Sequence, residues 1–173
     1  MNKVSKPGQV ASFVFYLTLQ VAVARFLVLW HTGCCFVYVG FLLLLPRGQE
    51  GLTILLFIGF ITGLFVDMIY HSMGLHTFAA VLMVYLRPSL LNLILPANGY
   101  KAAIRPTLTQ LGWKRFSFFT FSLIMIHHTF LFFLDAGSFS LFFVVIPKLF
   151  LSALLTYMAV LIIQVPTLLL SKR

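Results

Sequence analysis

Gly59, Gly63 and Asp67 recur at intervals of four in the run Gly59-Phe60-Ile61-Thr62-Gly63-Leu64-Phe65-Val66-Asp67, and Met73-Gly74-Leu75-His76 follows closely. Steps of four keep the three positions nearly in line on one helix face. Two glycines on that line let a second helix approach closely in lipid. A carboxylate beyond them can take a proton, pair with a cation or accept hydrogen bonds. Such a group is costly at membrane depth, which makes Asp67 a functional candidate. The chain has three acids, Glu50, Asp67 and Asp135, and only Asp67 lies within a long apolar run. Gly74 and His76 complete the set of helix-packing or partner-binding candidates.

Two cations fall at the depth of Asp67. On a helix running outward from Gly51, Asp67 lies about 24 Å along, and Arg25 lies about 22 Å along a helix starting at Val10. Lys148 falls just inside the outer end of the last apolar segment. Arg25 or Lys148 paired with Asp67 lowers the cost of burying both. The alternative is that each side chain snorkels to the interface alone. His71 and His76 flank the outer turn and can hydrogen-bond Asp67.

His127 and His128 lie mid-segment, near the bilayer centre. A proton relay there needs another titratable group at that depth, and the sequence shows none. Neutral imidazoles bonded to the backbone or to groups such as Ser122 or Thr129 are expected instead. Gln20 is expected to join helices through hydrogen bonds. Cys34 and Cys35 are adjacent, unlike the spaced ligands of zinc sites or redox pairs. No HExxH, GxSxG or phosphate loop is present. The scattered acids and histidines form no acid–base, nucleophile or metal constellation. A non-enzyme without cofactor or metal is expected.

The elements that position these residues belong to a membrane protein. The chain of 173 residues is 61% hydrophobic and 9% charged, with a mean hydropathy of +1.07. A soluble domain of this size cannot hide so much apolar surface. The net charge of +9 reads as orientation and contact with anionic lipids, because no basic face stands apart from an apolar segment. Nucleic acid is not an expected partner.

Six segments can be drawn: Val10–Trp30, Gly33–Leu45, Gly51–Tyr70, Met73 to Leu86 or Leu95, Phe116–Leu134, and one within Phe139–Leu170. A single all-α domain over 1–173, a bundle of six transmembrane helices, is the expected architecture. The second segment is short for a span of about 20 residues. Lys3, Lys6 and Ala22-Val23-Ala24 suggest a cleavable signal, but the apolar run continues to Trp30, so a retained first helix is expected. Pro147 and Pro166 suit boundaries or kinks of the last segment.

Charge supports six spans. With the N-terminus inside, ten of the 12 basic residues fall on the cytoplasmic side. Arg87 is counted there, in a loop with Lys101, Arg105, Lys114 and Arg115. Both termini and the turns near 48 and 100 are then cytoplasmic; those near 32, 72 and 136 are outside. Trp30 and Tyr70 suit the outer aromatic belt, and Tyr100 and Trp113 the inner one. Pro96–Lys114 forms a basic apron for anionic lipid or a cytoplasmic protein.

Gly59-Phe60, Gly63-Leu64, Asp67 and Gly74-Leu75-His76 together resemble the central signature of the MreD family, bacterial rod-shape-determining membrane proteins. The close resemblance covers Gly59 to Leu86, with Met73 in place of the usual leucine in the turn. It implies a non-catalytic scaffold of the cell-elongation complex in the bacterial inner membrane. The implied partners are a bitopic MreC-like protein, an MreB-like filament, and a RodA-like synthase with its transpeptidase. It also implies a fold similar to the substrate-binding S components of vitamin transporters. A solute-binding subunit of that kind is the alternative. Helix one carries Ala22 and Ala24 but not the Ala-x-x-x-Ala coupling pattern such subunits often have.

Overall fold

The computed structural model describes residues 6–22, 26, 28–29, 32–46, 51–95 and 105–171. In chain order these form α1 (Lys6–Ala22), β1 (Val28–Leu29), β2 (Gly33–Cys34), α2 (Tyr38–Leu43), α3 (Leu52–Tyr70), α4 (Leu75–Ile94), α5 (Leu108–Ala136), a 3-10 turn (Phe139–Leu141) and α6 (Phe142–Ser171). Within the described residues, Leu52–Tyr70, Leu75–Ile94, Leu108–Ala136 and Phe142–Pro166 are long and apolar enough to cross a membrane. This is the architecture of a helical, multi-pass membrane protein.

The second segment departs from the expected helix over Gly33–Leu45. It begins as a strand paired with the end of the first segment, where Val28 lies opposite Cys34 and Leu29 opposite Gly33. The first segment is therefore not the expected continuous helix to Trp30; α1 ends at Ala22. Only Tyr38–Leu43 is helical, and all six of those residues are buried. Extended backbone at membrane depth needs protein partners for its polar groups. Ser152 Oγ accepts the Cys34 N–H at 2.9 Å, Thr156 Oγ1 accepts that of Phe36 at 3.0 Å, and Gln20 Oε1 accepts that of Tyr38 at 3.2 Å. The segment threads closely between α1 and α6. A Cβ on Gly40 would lie 2.7 Å from the Tyr16 ring, and one on Gly33 would lie 2.6 Å from Leu151.

Three further differences concern helix ends. α4 continues through Pro88 to Ile94, so Arg87 belongs to a helix and not to the cytoplasmic loop. Its side chain is 1% exposed. The guanidinium Nε–H donates to Leu43 O at 3.2 Å and Nη2 donates to Leu45 O. Arg87 thereby satisfies carbonyls at the end of α2, which have no partners within so short a helix. α5 starts before the expected Phe116, and Gly112 breaks it with φ 72° and ψ 165°. Both Pro147 and Pro166 lie inside α6 and do not end it.

The helices α3, α4, α5 and α6 pack in sequence order, and α1 packs on α2. Tyr38, Leu42, Leu43, Val66, Met83, Phe116, Phe119 and Leu123 meet in one buried core. The phenylalanines divide between that core and an apolar outer surface that includes Phe57, Phe60 and Phe118.

Candidate functional site

The α3–α4 turn is built around Asp67. α3 ends with His71 in the left-handed region, φ 55° and ψ 39°. The backbone N–H groups of His71 and Ser72 both return to Asp67 O. Met73 follows at φ 49° and Gly74 at φ 92°. Left-handed backbone costs a β-carbon-bearing residue free energy, so the tight reversal is held by other contacts. The Asp67 side chain provides them. Its Oδ1 accepts from Ser72 Oγ at 2.5 Å and from the His76 N–H at 3.0 Å. Its Oδ2 accepts from the Thr77 N–H at 2.8 Å and from Thr77 Oγ1 at 2.5 Å.

Asp67 thus performs the task that the N-cap residue of α4 cannot. The cap residue Gly74 has no side chain to offer its helix. A carboxylate from the preceding helix satisfies two of the free N–H groups and sits at the positive end of the helix dipole. The glycines set the distance. A Cβ on Gly63 would come within 2.4 Å of Thr77 Cα, and one on Gly59 within 3.1 Å of Val84. The glycine face is therefore occupied by α4 within the same chain.

Lys148 does not pair with Asp67. It reaches Asp135 at 3.5 Å and lies over the Phe132 ring, 4.6 Å from its centroid. Hydrogen bonds from the adjoining turn already fill both Asp67 oxygens. The other expected partner, Arg25, lies outside the described residues.

Next to this turn is a buried polar chain. Gln20 Nε2 donates to Cys35 O at 3.1 Å and to the Tyr70 hydroxyl at 2.7 Å, while its Oε1 receives the Tyr38 N–H. The Tyr38 hydroxyl lies 3.0 Å from His76 Nδ1 and 2.6 Å from His127 Nε2. His128 Nδ1 lies 2.9 Å from Ile124 O, and its Nε2 lies 3.2 Å from Thr156 Oγ1. A carbonyl can only accept, so His128 carries its proton on Nδ1, and the neutral ring accepts a hydrogen bond from the Thr156 hydroxyl at Nε2. The Phe36 ring packs edgewise on His76 and His128.

These contacts correct two sequence expectations. His128 bonds to the backbone and to a threonine hydroxyl as expected, but the groups are Ile124 O and Thr156 in place of Ser122 or Thr129, and His127 bonds to Tyr38; Thr129 turns back to Met125 O. Tyr38 and His76 are also titratable groups at the depth of His127. Tyr38 can donate to one imidazole and accept from the other, so the tautomers of His76 and His127 are linked through it.

No protein-family model, curated protein or solved structure matches the chain. The site therefore rests on its own geometry. Gly59, Gly63, Asp67, Gly74 and His76 belong to one α3–turn–α4 unit. Among the described residues no His, Cys, Asp or Glu cluster could hold a metal ion. Sequence reasoning missed Ser72, Thr77, Tyr38 and Arg87. Ser72 and Thr77 flank Gly74 and His76, where helix-capping hydroxyls are common. Tyr38 and Arg87 carried no comparable local signal.

Proposed function

We propose that this protein is a non-catalytic integral membrane scaffold of a bacterial cell-elongation complex, of the MreD kind. The observation that carries the reading is the joint use of the signature residues. Asp67 caps α4 from the end of α3, Gly63 admits the Thr77 backbone, and Gly74 makes the intervening turn. The motif makes a rigid helical hairpin whose polar atoms face one another. Such a unit is suited to presenting a fixed surface.

The reading takes six membrane passes with both termini cytoplasmic, in an arrangement similar to a transporter S component. Gly63 against Thr77 and Gly59 against Val84 run antiparallel, as successive passes require. The buried second segment serves as the short second pass. With α4 covering the glycines, the partner's membrane helix is assigned to the apolar groove between α1 and α3, lined by Phe13, Phe57 and Ile61. The MreC-like bitopic protein docks there and links the bundle to the MreB-like filament, the RodA-like synthase and its transpeptidase.

Co-purification tests the reading. The detergent-solubilised protein is expected to retain a single-span partner, and Phe57→Arg in the groove to release it. Stoichiometric vitamin binding at micromolar concentration, without such a partner, would instead support the solute-binding subunit.

A further inference from the structure

The opposite end of the bundle from Asp67 holds a cleft of about 260 Å³ between α1, the end of α2, the approach to α5, and α6. Phe15, Phe41, Leu44 and Ile163 give it apolar walls, and Gln164 and Arg105 also line it. The Arg105 Nε atom is buried and has no hydrogen-bond partner among the described residues. Burial lowers the pKa of this guanidinium from its ordinary value. One donor of this half-buried cation is therefore left without an acceptor, and an anion in the cleft would supply one. Of the three acids, Asp67 is held by the α3–α4 turn and Asp135 faces Lys148, both at the far end of the bundle, and Glu50 lies outside the described residues.

We propose that this cleft binds one anionic phospholipid. A phosphate oxygen accepts the Arg105 Nε–H, and an acyl chain lies along Phe15 and Ile163. A guanidinium edge fits a phosphate with two parallel hydrogen bonds. The cleft is slightly smaller than the roughly 300–1,000 Å³ of pockets that enclose a whole small molecule. Such a site suits one end of a longer amphiphile whose tails leave along the helices. The apolar walls favour a lipid over free phosphate, which gains nothing from phenylalanine. This site goes beyond the scaffold reading and stands without it, since it uses neither the Asp67 turn nor a protein partner.

Native mass spectrometry of the full chain in a neutral detergent tests the proposal, with phosphatidylglycerol, phosphatidylcholine and inorganic phosphate as probes. One phosphatidylglycerol is expected to stay bound, phosphatidylcholine to be lost, and inorganic phosphate not to compete. Arg105→Gln should weaken retention about tenfold, the size of one charged hydrogen bond. Lys114→Gln, at an exposed neighbouring cation, should leave it unchanged. Gln9→Glu, which adds a negative charge to the cleft wall and keeps Arg105, should also weaken retention and covers the case in which Arg105→Gln fails to fold. Equal retention of both lipids, equal losses in Lys114→Gln and Arg105→Gln, or displacement by inorganic phosphate would each overturn the proposal.

Discussion

Thr77 meets Asp67 twice: its backbone N–H at 2.8 Å and its hydroxyl at 2.5 Å reach the same carboxylate oxygen. The acid that ends the glycine face of α3 is thereby the cap of α4. Asp67→Ala removes the acceptor for all these bonds. A loss of about 2–4 kcal/mol is expected, from a missing cap and buried donors left unsatisfied. Asp67→Asn keeps one acceptor oxygen and should lose less. Lys148→Ala should cost about 0–1 kcal/mol, because its pair with Asp135 is exposed, and its effect should add to that of Asp67→Ala. Unfolding in detergent, followed for both single variants and the double, checks this; strong coupling would restore the Asp67–Lys148 pair.

Gly63 and Gly59 are not equivalent. The Gly63 position faces Thr77 backbone at 2.4 Å, whereas Gly59 faces the tip of a valine at 3.1 Å. Backbone cannot rotate aside as a side chain can. Gly63→Ala is expected to cost about 1–3 kcal/mol and Gly59→Ala clearly less. Comparison of the two unfolding midpoints decides it, and equal midpoints would remove the argument from close approach.

Tyr38 joins His76 to His127. Tyr38→Phe keeps the ring and leaves both imidazole nitrogens without that partner, each unsatisfied group costing about 1–3 kcal/mol. His127→Phe should couple to it in a double-mutant cycle, since both changes remove the same bond. Additive losses would mean that the hydroxyl and the imidazole act independently.

On the proposed six-pass reading, the sidedness follows from the distribution of basic residues. In a background lacking Cys34 and Cys35, a cysteine at position 72 should react with an external, impermeant thiol reagent, and one at position 100 only after the membrane is opened. External labelling at 100 would contradict six passes.

Much of the hairpin was legible because its information is local. A period of four placed Gly59, Gly63 and Asp67 on one face, and Gly74 marked the turn. The longer apolar runs appear as α3, α4, α5 and α6. What Asp67 does with its charge was not legible. Depth along a helix offered Arg25 and Lys148, but the donors came from Ser72, His76 and Thr77, a few residues away. Hydrogen bonds already available in a turn fix a carboxylate without bringing a distant cation to it. The buried second segment was obscured for a different reason. Its composition is that of a membrane helix, and the side chains that permit its extended start, Ser152, Thr156 and Gln20, are distant in sequence. Arg87 looked like a loop cation because its acceptors, Leu43 and Leu45, are also far away along the chain.

The proposed role, holding an elongation complex together, is tested most directly by cell shape under depletion. Where the native host grows as rods, controlled depletion imaged while growth continues is expected to round the cells. Rod shape should return with the wild-type chain and with Lys148→Ala, and not with Gly63→Leu, which separates α3 from α4. Cells that stay rod-shaped after complete depletion would contradict the account.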